Sequence, residues 1–182
     1  MKKLVWLVFA AAVLAGCTNN AKIPIGKDDV VTMNYTGKLT DGTVFDASSK
    51  HGQPFTFIEG EGKIIPGLEK GLMGMKAGEK KSIDVPASEA YPYEKAMVVT
   101  VPKAQFPKTI DIKVGTEVAS QTPNGPMQGK ITKVEGDQVT VDFNLPIAGQ
   151  ELIFDVDIIG VRKATPDEIS GKIAPAPIVP KK

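Results

Sequence analysis

Tyr35, Phe45 and Asp46 are the side chains whose types and spacing could do chemistry together. They lie in the stretch Val31-Thr32-Met33-Asn34-Tyr35-Thr36-Gly37-Lys38-Leu39-Thr40-Asp41-Gly42-Thr43-Val44-Phe45-Asp46. Val31, Met33 and Tyr35 alternate with Thr32, Asn34 and Thr36, the period-2 pattern of a half-buried strand. Asp41-Gly42 reads as a tight turn before a second strand carrying Val44-Phe45. An antiparallel pair can then bring both rings and the carboxylate to one face. An unpaired carboxylate is costly in apolar surroundings, so an acid beside two large rings needs a reason. A turn cap after the second strand is one reason; one wall of a binding pocket is another. With one cysteine and one histidine, His51, the chain has almost nothing for thiol or imidazole catalysis, no internal disulfide and no metal site.

Several elements must position these residues. Phe55-Thr56-Phe57 reads as a further strand after the loop His51-Gly52-Gln53-Pro54. Ile64 to Leu72 reads as a short helix with Pro66 in its first turn and Ile65, Leu68 and Leu72 on a buried stripe. Lys80 to Val85 is a strand, and Pro86 to Tyr93 a loop carrying Ala90-Tyr91. Met97 to Phe143 holds four alternating runs, Val98 to Val101, Thr116 to Ser120, Gly129 to Val134 and Gln138 to Val141, punctuated by Asn124-Gly125 and Gly136-Asp137. That is strand enough for a small antiparallel domain. Leu152 to Val161, with Phe154, Val156 and Ile158 on one side, is the strongest β-former and reads as a central strand of the main sheet. Pro166 to Lys182 has no packing pattern and is expected to be disordered.

The N-terminus reads as a signal. Lys2-Lys3 precede an apolar run, Leu4 to Leu14, too short to span a bilayer. Leu14-Ala15-Gly16-Cys17 then looks like a bacterial lipoprotein cleavage site, with Cys17 the lipidated first mature residue. Thr18, where Asp is not found, favours the outer over the inner membrane, with the protein facing the periplasm or the extracytoplasmic side. Thr18 to Ile25 reads as a polar tether. Loss of residues 1–16 leaves 20 basic against 21 acidic side chains, a formal −1 in place of +1. Such a chain, with Arg162 its single arginine, lacks an electrostatic footprint for nucleic acid. About 160 mature residues suit one ordinary domain or two small ones.

The string Tyr35-Thr36-Gly37…Asp41-Gly42…Phe45-Asp46 resembles the first pocket-lining strands of FKBP-type peptidyl-prolyl isomerases. The strand-rich module between Tyr91 and Phe154 resembles the insert-in-flap domain of SlyD-like members. Val101-Pro102-Lys103…Phe106 and Ala148-Gly149-Gln150…Leu152…Phe154 are similar to that subgroup. The resemblance implies an α+β fold, an antiparallel sheet wrapped on a short helix, with a small all-β insert. It implies a discontinuous isomerase domain over 27–95 and 145–165, an insert over 96–144, a lipidated tether over 17–26 and a tail over 166–182. It also implies a prolyl pocket, with Asp46, Tyr91, Phe45 and Tyr35 catalytic and Phe55, Ile64, Ile65, Leu68 and Phe154 binding substrate. Singly, Phe55, Phe154 and Leu68 also read as ordinary core, and Tyr91 as a lid. This chain departs from the pattern at Leu68, where many members have Trp, and at Pro92, where Gly is usual. It has no His before Ala148-Gly149 and no His/Cys-rich tail.

Rotating an X-Pro bond breaks amide resonance against a barrier of about 18–20 kcal/mol and needs neither cofactor nor metal. The expected partners are unfolded or partly folded exported proteins with X-Pro bonds and a lipid anchor in the membrane; a monomer is expected. The insert is either a spacer or a chaperone surface, with Met97, Val99, Phe106, Met127 and Phe143 as contact residues. The rival readings are a non-catalytic holdase on the same scaffold and an assembly or adhesion lipoprotein.

Overall fold

The computed structural model describes residues 23–122 and 125–178. Cys17, the N-terminal signal, Asn124 of the Asn124-Gly125 turn and residues 179–182 lie outside them. The main sheet comprises β1 (Asp29–Leu39), β2 (Val44–Ala47), β3 (Phe55–Ile58), β4 (Lys80–Val85) and β9 (Leu152–Lys163), with helix α1 (Pro66–Leu72) against it. A second sheet comprises β5 (Val98–Pro102), β6 (Glu117–Thr122), β7 (Gly125–Glu135) and β8 (Gln138–Asp142), and a short helix α2 (Pro166–Ile169) follows β9. The architecture is α+β and antiparallel throughout, as expected.

β9 is central because its sequence can bury one whole face. Leu152, Phe154, Val156 and Ile158 alternate inward, and the strand pairs with β1 along Asp29–Leu39 on one side and with β4 on the other. The far edge of β1 is shared: Thr36–Lys38 pair with β2, and Val30–Met33 pair with β3. A 3-10 turn over Ser48–His51 carries the chain between those two short strands.

The helix starts where proline lets it. Pro66 occupies the first turn, where its missing N–H costs nothing, and Leu68 and Leu72 face the core. Gly67 and Gly71, four residues apart, form the side turned to β4. A Cβ at Gly67 would meet Val85, and one at Gly71 would meet Ile83. The two glycines therefore set how closely α1 packs on the sheet, at some cost in helix propensity.

The second sheet, ordered β5-β8-β7-β6, lies in sequence between β4 and β9 and has its own core of Val118, Ile131, Val139 and Val141. Phe106 and Phe143 pack against that core and are partly buried. Of the five expected contact residues, Val99 is exposed.

Three expectations are corrected. The alternation in β1 predicts a half-buried strand, but Val30, Val31, Thr32 and Met33 are all fully buried. The tail covers Thr32. It was expected to be disordered, yet Thr165 and Glu168 form a reciprocal cap on α2, and Arg162 grips both oxygens of Glu168 at 2.8 and 2.6 Å. The chain then runs back over the sheet, where the Ile178 N–H donates to Thr32 Oγ1 at 3.1 Å and the Ile178 side chain covers Gly160. Proline-rich segments with an anchored start dock without a periodic apolar pattern. The tether is also shorter than read. Ile25 is buried, donates to the Met75 carbonyl at 2.8 Å and accepts from Gly74 at 2.9 Å. A single isoleucine in a polar run carries no periodic signal, so its docking was not legible.

Candidate functional site

The polar end of the site is built by the β1–β2 hairpin. Gly42, with φ of 87°, turns the chain as Asp41-Gly42 promises. The register then sets Gly37 opposite Asp46, which brings Asp46 within reach of Tyr35 on the same strand. The Tyr35 hydroxyl donates to Asp46 Oδ2 at 2.6 Å, a short bond of the charge-assisted kind. The other oxygen, Oδ1, accepts from the Ala47 N–H at 2.8 Å and lies 3.0 Å from His51 Nε2. The carboxylate is thus satisfied, which answers why an acid can sit beside two rings. The Tyr35 bond holds Asp46 below the usual carboxylate range, against partial burial that pushes the other way, with His51 and Ala47 assisting. Burial, then the Asp46 bond and charge, raise the Tyr35 phenol, with a smaller push from Tyr91.

The apolar walls are rings at right angles. Phe45 meets Phe154 edge to face at 5.8 Å between centroids, and Tyr35 meets Phe55 edge to face at 6.0 Å. Tyr35 also contacts Phe154 at 6.4 Å, and Phe55 stacks on Phe57. Gly37 makes this possible: a Cβ there would stand 2.7 Å from the Phe45 ring and 3.1 Å from that of Phe154. Leu68 is buried in the core beneath, and Ile64 and Ile65 pack partly exposed against it. The Ile65 carbonyl accepts from Leu68 and Glu69 as α1 begins, while the Ile65 N–H has no partner among the described residues. That leaves one free backbone donor at this corner.

Tyr91 comes from the segment after β4, half-exposed and close enough to Tyr35 to act on it electrostatically. Its carbonyl accepts from the Gly149 N–H at 2.9 Å, and Gly149, at φ of 76°, sits where a Cβ would press on Tyr93. The residues on either side of the second sheet are thereby tied together at Tyr91.

The structure therefore brings Tyr35, Phe45, Asp46, Phe55 and Phe154 into one cluster, with Leu68, Ile64 and Ile65 on the α1 side. Sequence reasoning missed His51 as a partner of Asp46, Gly37 as the space for Phe45, and Gly149 as the support of Tyr91. The five-residue spacing from Asp46 to His51 across a short turn was the one available signal for the first. A groove of about 830 Å³ is lined by Asn34, Tyr35, Thr36, Ser82 and Asp155, so of the aromatic cluster it reaches Tyr35. Among the described residues no group of three His, Cys, Asp or Glu is arranged to hold a metal.

A profile of the family described as FKBP-type peptidyl-prolyl cis-trans isomerase matches residues 21–114. The chain is 37% identical over 147 residues to the FKBP-type peptidyl-prolyl cis-trans isomerase SlyD of Escherichia coli K12, covering 80% of this chain and 74% of that protein. It is 36% identical over 147 residues to SlyD of Haemophilus influenzae, covering 80% and 77%. Identity to SlyD of Vibrio cholerae is also 36%, covering 80% and 73%.

Proposed function

Because this chain belongs to the FKBP-type peptidyl-prolyl cis-trans isomerases and acts on X-Pro bonds, we propose that its isomerase site is the aromatic cluster closed by the Tyr35–Asp46 pair. The observation that carries this reading is the 2.6 Å bond from Tyr35 to Asp46 beside the Phe45–Phe154 contact. A planar amide is more dipolar than a twisted one. A cavity walled by Phe45, Phe55, Leu68 and Phe154 solvates the planar form less well than water does, and so lowers the cost of twisting. The free Ile65 N–H accepts the role of substrate donor, holding a carbonyl next to the prolyl ring. Asp46 and the Tyr91 hydroxyl orient the rotating carbonyl, and Tyr35 fixes Asp46 for that task.

We further propose that the second sheet acts as a chaperone surface that delivers unfolded exported chains to the pocket, and that Cys17 anchors the protein to a membrane. The position of β5 to β8 between Tyr91 and β9 supports the first; the Leu14-Ala15-Gly16-Cys17 pattern supports the second.

Turnover of a proline tetrapeptide tests the site. Asp46→Ala and Tyr91→Phe are expected to lower kcat/KM, and unchanged turnover in both would remove the assignment. The Phe143 N–H donates to the Met97 carbonyl at 3.0 Å, so residues 97–143 can be replaced by a short turn. That variant is expected to keep peptide turnover and lose proline-limited refolding. Retained refolding would make the insert a spacer. Radiolabelled lipid incorporation, abolished by Cys17→Ala, tests the anchor.

A further inference from the structure

We propose that His51 is a positioning residue that makes substrate binding pH-dependent, its protonated imidazole holding Asp46 while a substrate covers that carboxylate. The inference rests on the pocket assignment above. His51 ends the 3-10 turn between β2 and β3, and Gly52, at φ of 73°, turns the chain away behind it. Its Nε2 stands 3.0 Å from Asp46 Oδ1, while Tyr35 takes Oδ2 at 2.6 Å. The carboxylate is therefore held from two sides, by a phenol and by a group that changes charge near neutrality.

The surroundings leave Asp46 as the partner that matters. Lys50, on the same turn, directs its Nζ to the Phe45 carbonyl at 3.1 Å. The cavity that His51 helps line is also lined by Tyr35 of β1, Phe55 and Thr56 of β3, Ser48, Gln53 and Pro54 of the intervening turn and loop, Ile159 of β9, and Pro175, Pro177 and Ile178 of the tail, and none of these brings a charge near neutral pH. Tyr91, uncharged near neutral pH, adds a small push to the Tyr35 phenol. Among the described residues Asp46 is the one carboxylate within ion-pair distance of His51. Asp46 stays ionised and Tyr35 protonated across neutral pH, since one is lowered and the other raised.

In the free protein the pair is 60% and 39% exposed at its side chains, where water screens it and it is worth little. A prolyl ring seated on the Phe45–Phe154 wall removes water from Asp46. A counter-charge then offsets the desolvation of the carboxylate, and the pair strengthens. Substrate thus prefers the protonated form of His51, and by linkage raises its affinity for the proton by the same factor.

His51 is the only histidine, so its titration is read without ambiguity by NMR of the full chain. Saturation with a proline tetrapeptide is expected to raise the midpoint by about 0.3–0.7 pH unit, and kcat/KM to be about two- to fivefold higher at pH 5.5 than at pH 8, through KM. His51→Gln is expected to flatten the profile, and His51→Arg to hold the acid-limb value at both pH values. A midpoint that peptide does not move, or a step that survives in His51→Gln, overturns the proposal. Wild-type turnover in Asp46→Ala would instead overturn the pocket assignment beneath it.

Discussion

Asn144 and Glu94 clip together the two chains that join the sheets. The Glu94 N–H donates to Asn144 Oδ1 at 2.8 Å, and Asn144 Nδ2 donates back to the Glu94 carbonyl at 3.0 Å. Asp142 braces the clip, accepting from the Asn144 N–H and side chain through Oδ1 and from the Tyr93 hydroxyl through Oδ2. These bonds lower the Asp142 carboxyl despite the opposing effect of burial. A side-chain amide that satisfies a backbone N–H and C=O together closes the neck as a strand partner would. The neck begins three residues after Tyr91, so its geometry bears on that loop.

Asn144→Ala removes both bonds of this clip. Each is worth about 0.5–1.5 kcal/mol net, so opening of the neck becomes roughly tenfold more frequent. The expected outcome is faster amide exchange at Glu94 and about a threefold loss in proline-limited refolding, with tetrapeptide turnover within twofold of wild type. Equal losses in both assays would mean that the clip serves the pocket and not the link between the sheets.

Tyr35→Phe keeps the ring contacts with Phe55 and Phe154 and removes the donor to Asp46. A hydrogen bond to a charged group is worth about 1.5–3 kcal/mol when buried; partial exposure puts this one at the lower end. The acid limb of stability should change with it. Asp46 is lowered in the folded state, so its contribution is present above its unfolded value and is lost as pH falls through the folded one. In Tyr35→Phe that loss at low pH shrinks, which chemical denaturation at pH 3 and pH 7 measures. An unchanged pH dependence would mean that the bond does not hold the carboxylate.

Glu59 sets the opposite trend. It is buried, its Oε2 has no partner among the described residues, and Asp29 and Glu69 lie nearby. Burial first, then the charges of Glu69 and Asp29, push it up to about 7. Because the folded state keeps this proton to higher pH than the unfolded chain, whose carboxyl titrates at 4.5, stability falls as pH rises between those values. Glu59→Gln should abolish that decline. Its Tm is expected to match wild type at pH 4.5 and to exceed it by a few degrees at pH 8, an effect on the order of 1 kcal/mol. A Tm gain equal at both pH values would place the effect in packing instead.

What was legible in the sequence follows from how each residue is held. β9 declares itself because Phe154 lies on a strict alternation with one face buried, and β1 declares itself as a strand by the alternation through Tyr35, although its first half is buried on both faces. Tyr35, Phe45 and Asp46 could be grouped because a tight turn fixes the pairing of neighbours in sequence. Contacts between distant segments carry no such signal. Ile178 over Gly160, Ile25 at Met75, and Asn144 at Glu94 each depend on a topology that local pattern does not encode. The tail was misread for a related reason: Thr165-Pro166-Asp167-Glu168 is a legible helix start, but its anchor, Arg162, belongs to the preceding strand. His51 reads from sequence only as a lone imidazole, which makes no metal site; its place beside Asp46 depends on the turn that separates them.

Gly37→Ala tests whether the shape of the pocket, apart from its polar end, supports turnover. Gly37 has no positive φ, although the β1–β2 register shifts between it and Lys38, so alanine brings no left-handed strain and acts mainly through contact. Its methyl group would stand 2.7 and 2.8 Å from two atoms of the Phe45 ring and 3.1 Å from Phe154. Phe45 is on the short edge strand β2 and yields more readily than Phe154 on central β9. The ring should swing out and break its edge-to-face contact. Overpacking of this kind costs about 1–3 kcal/mol in stability, and with one pocket wall displaced kcat/KM is expected to fall about tenfold. The double variant Gly37→Ala/Phe45→Leu separates the two effects: leucine relieves the clash and recovers stability, while turnover stays low because the ring is gone. Melting curves and tetrapeptide assays on the three proteins decide it, and recovery of full activity in the double variant would exclude the Phe45 ring from the reaction.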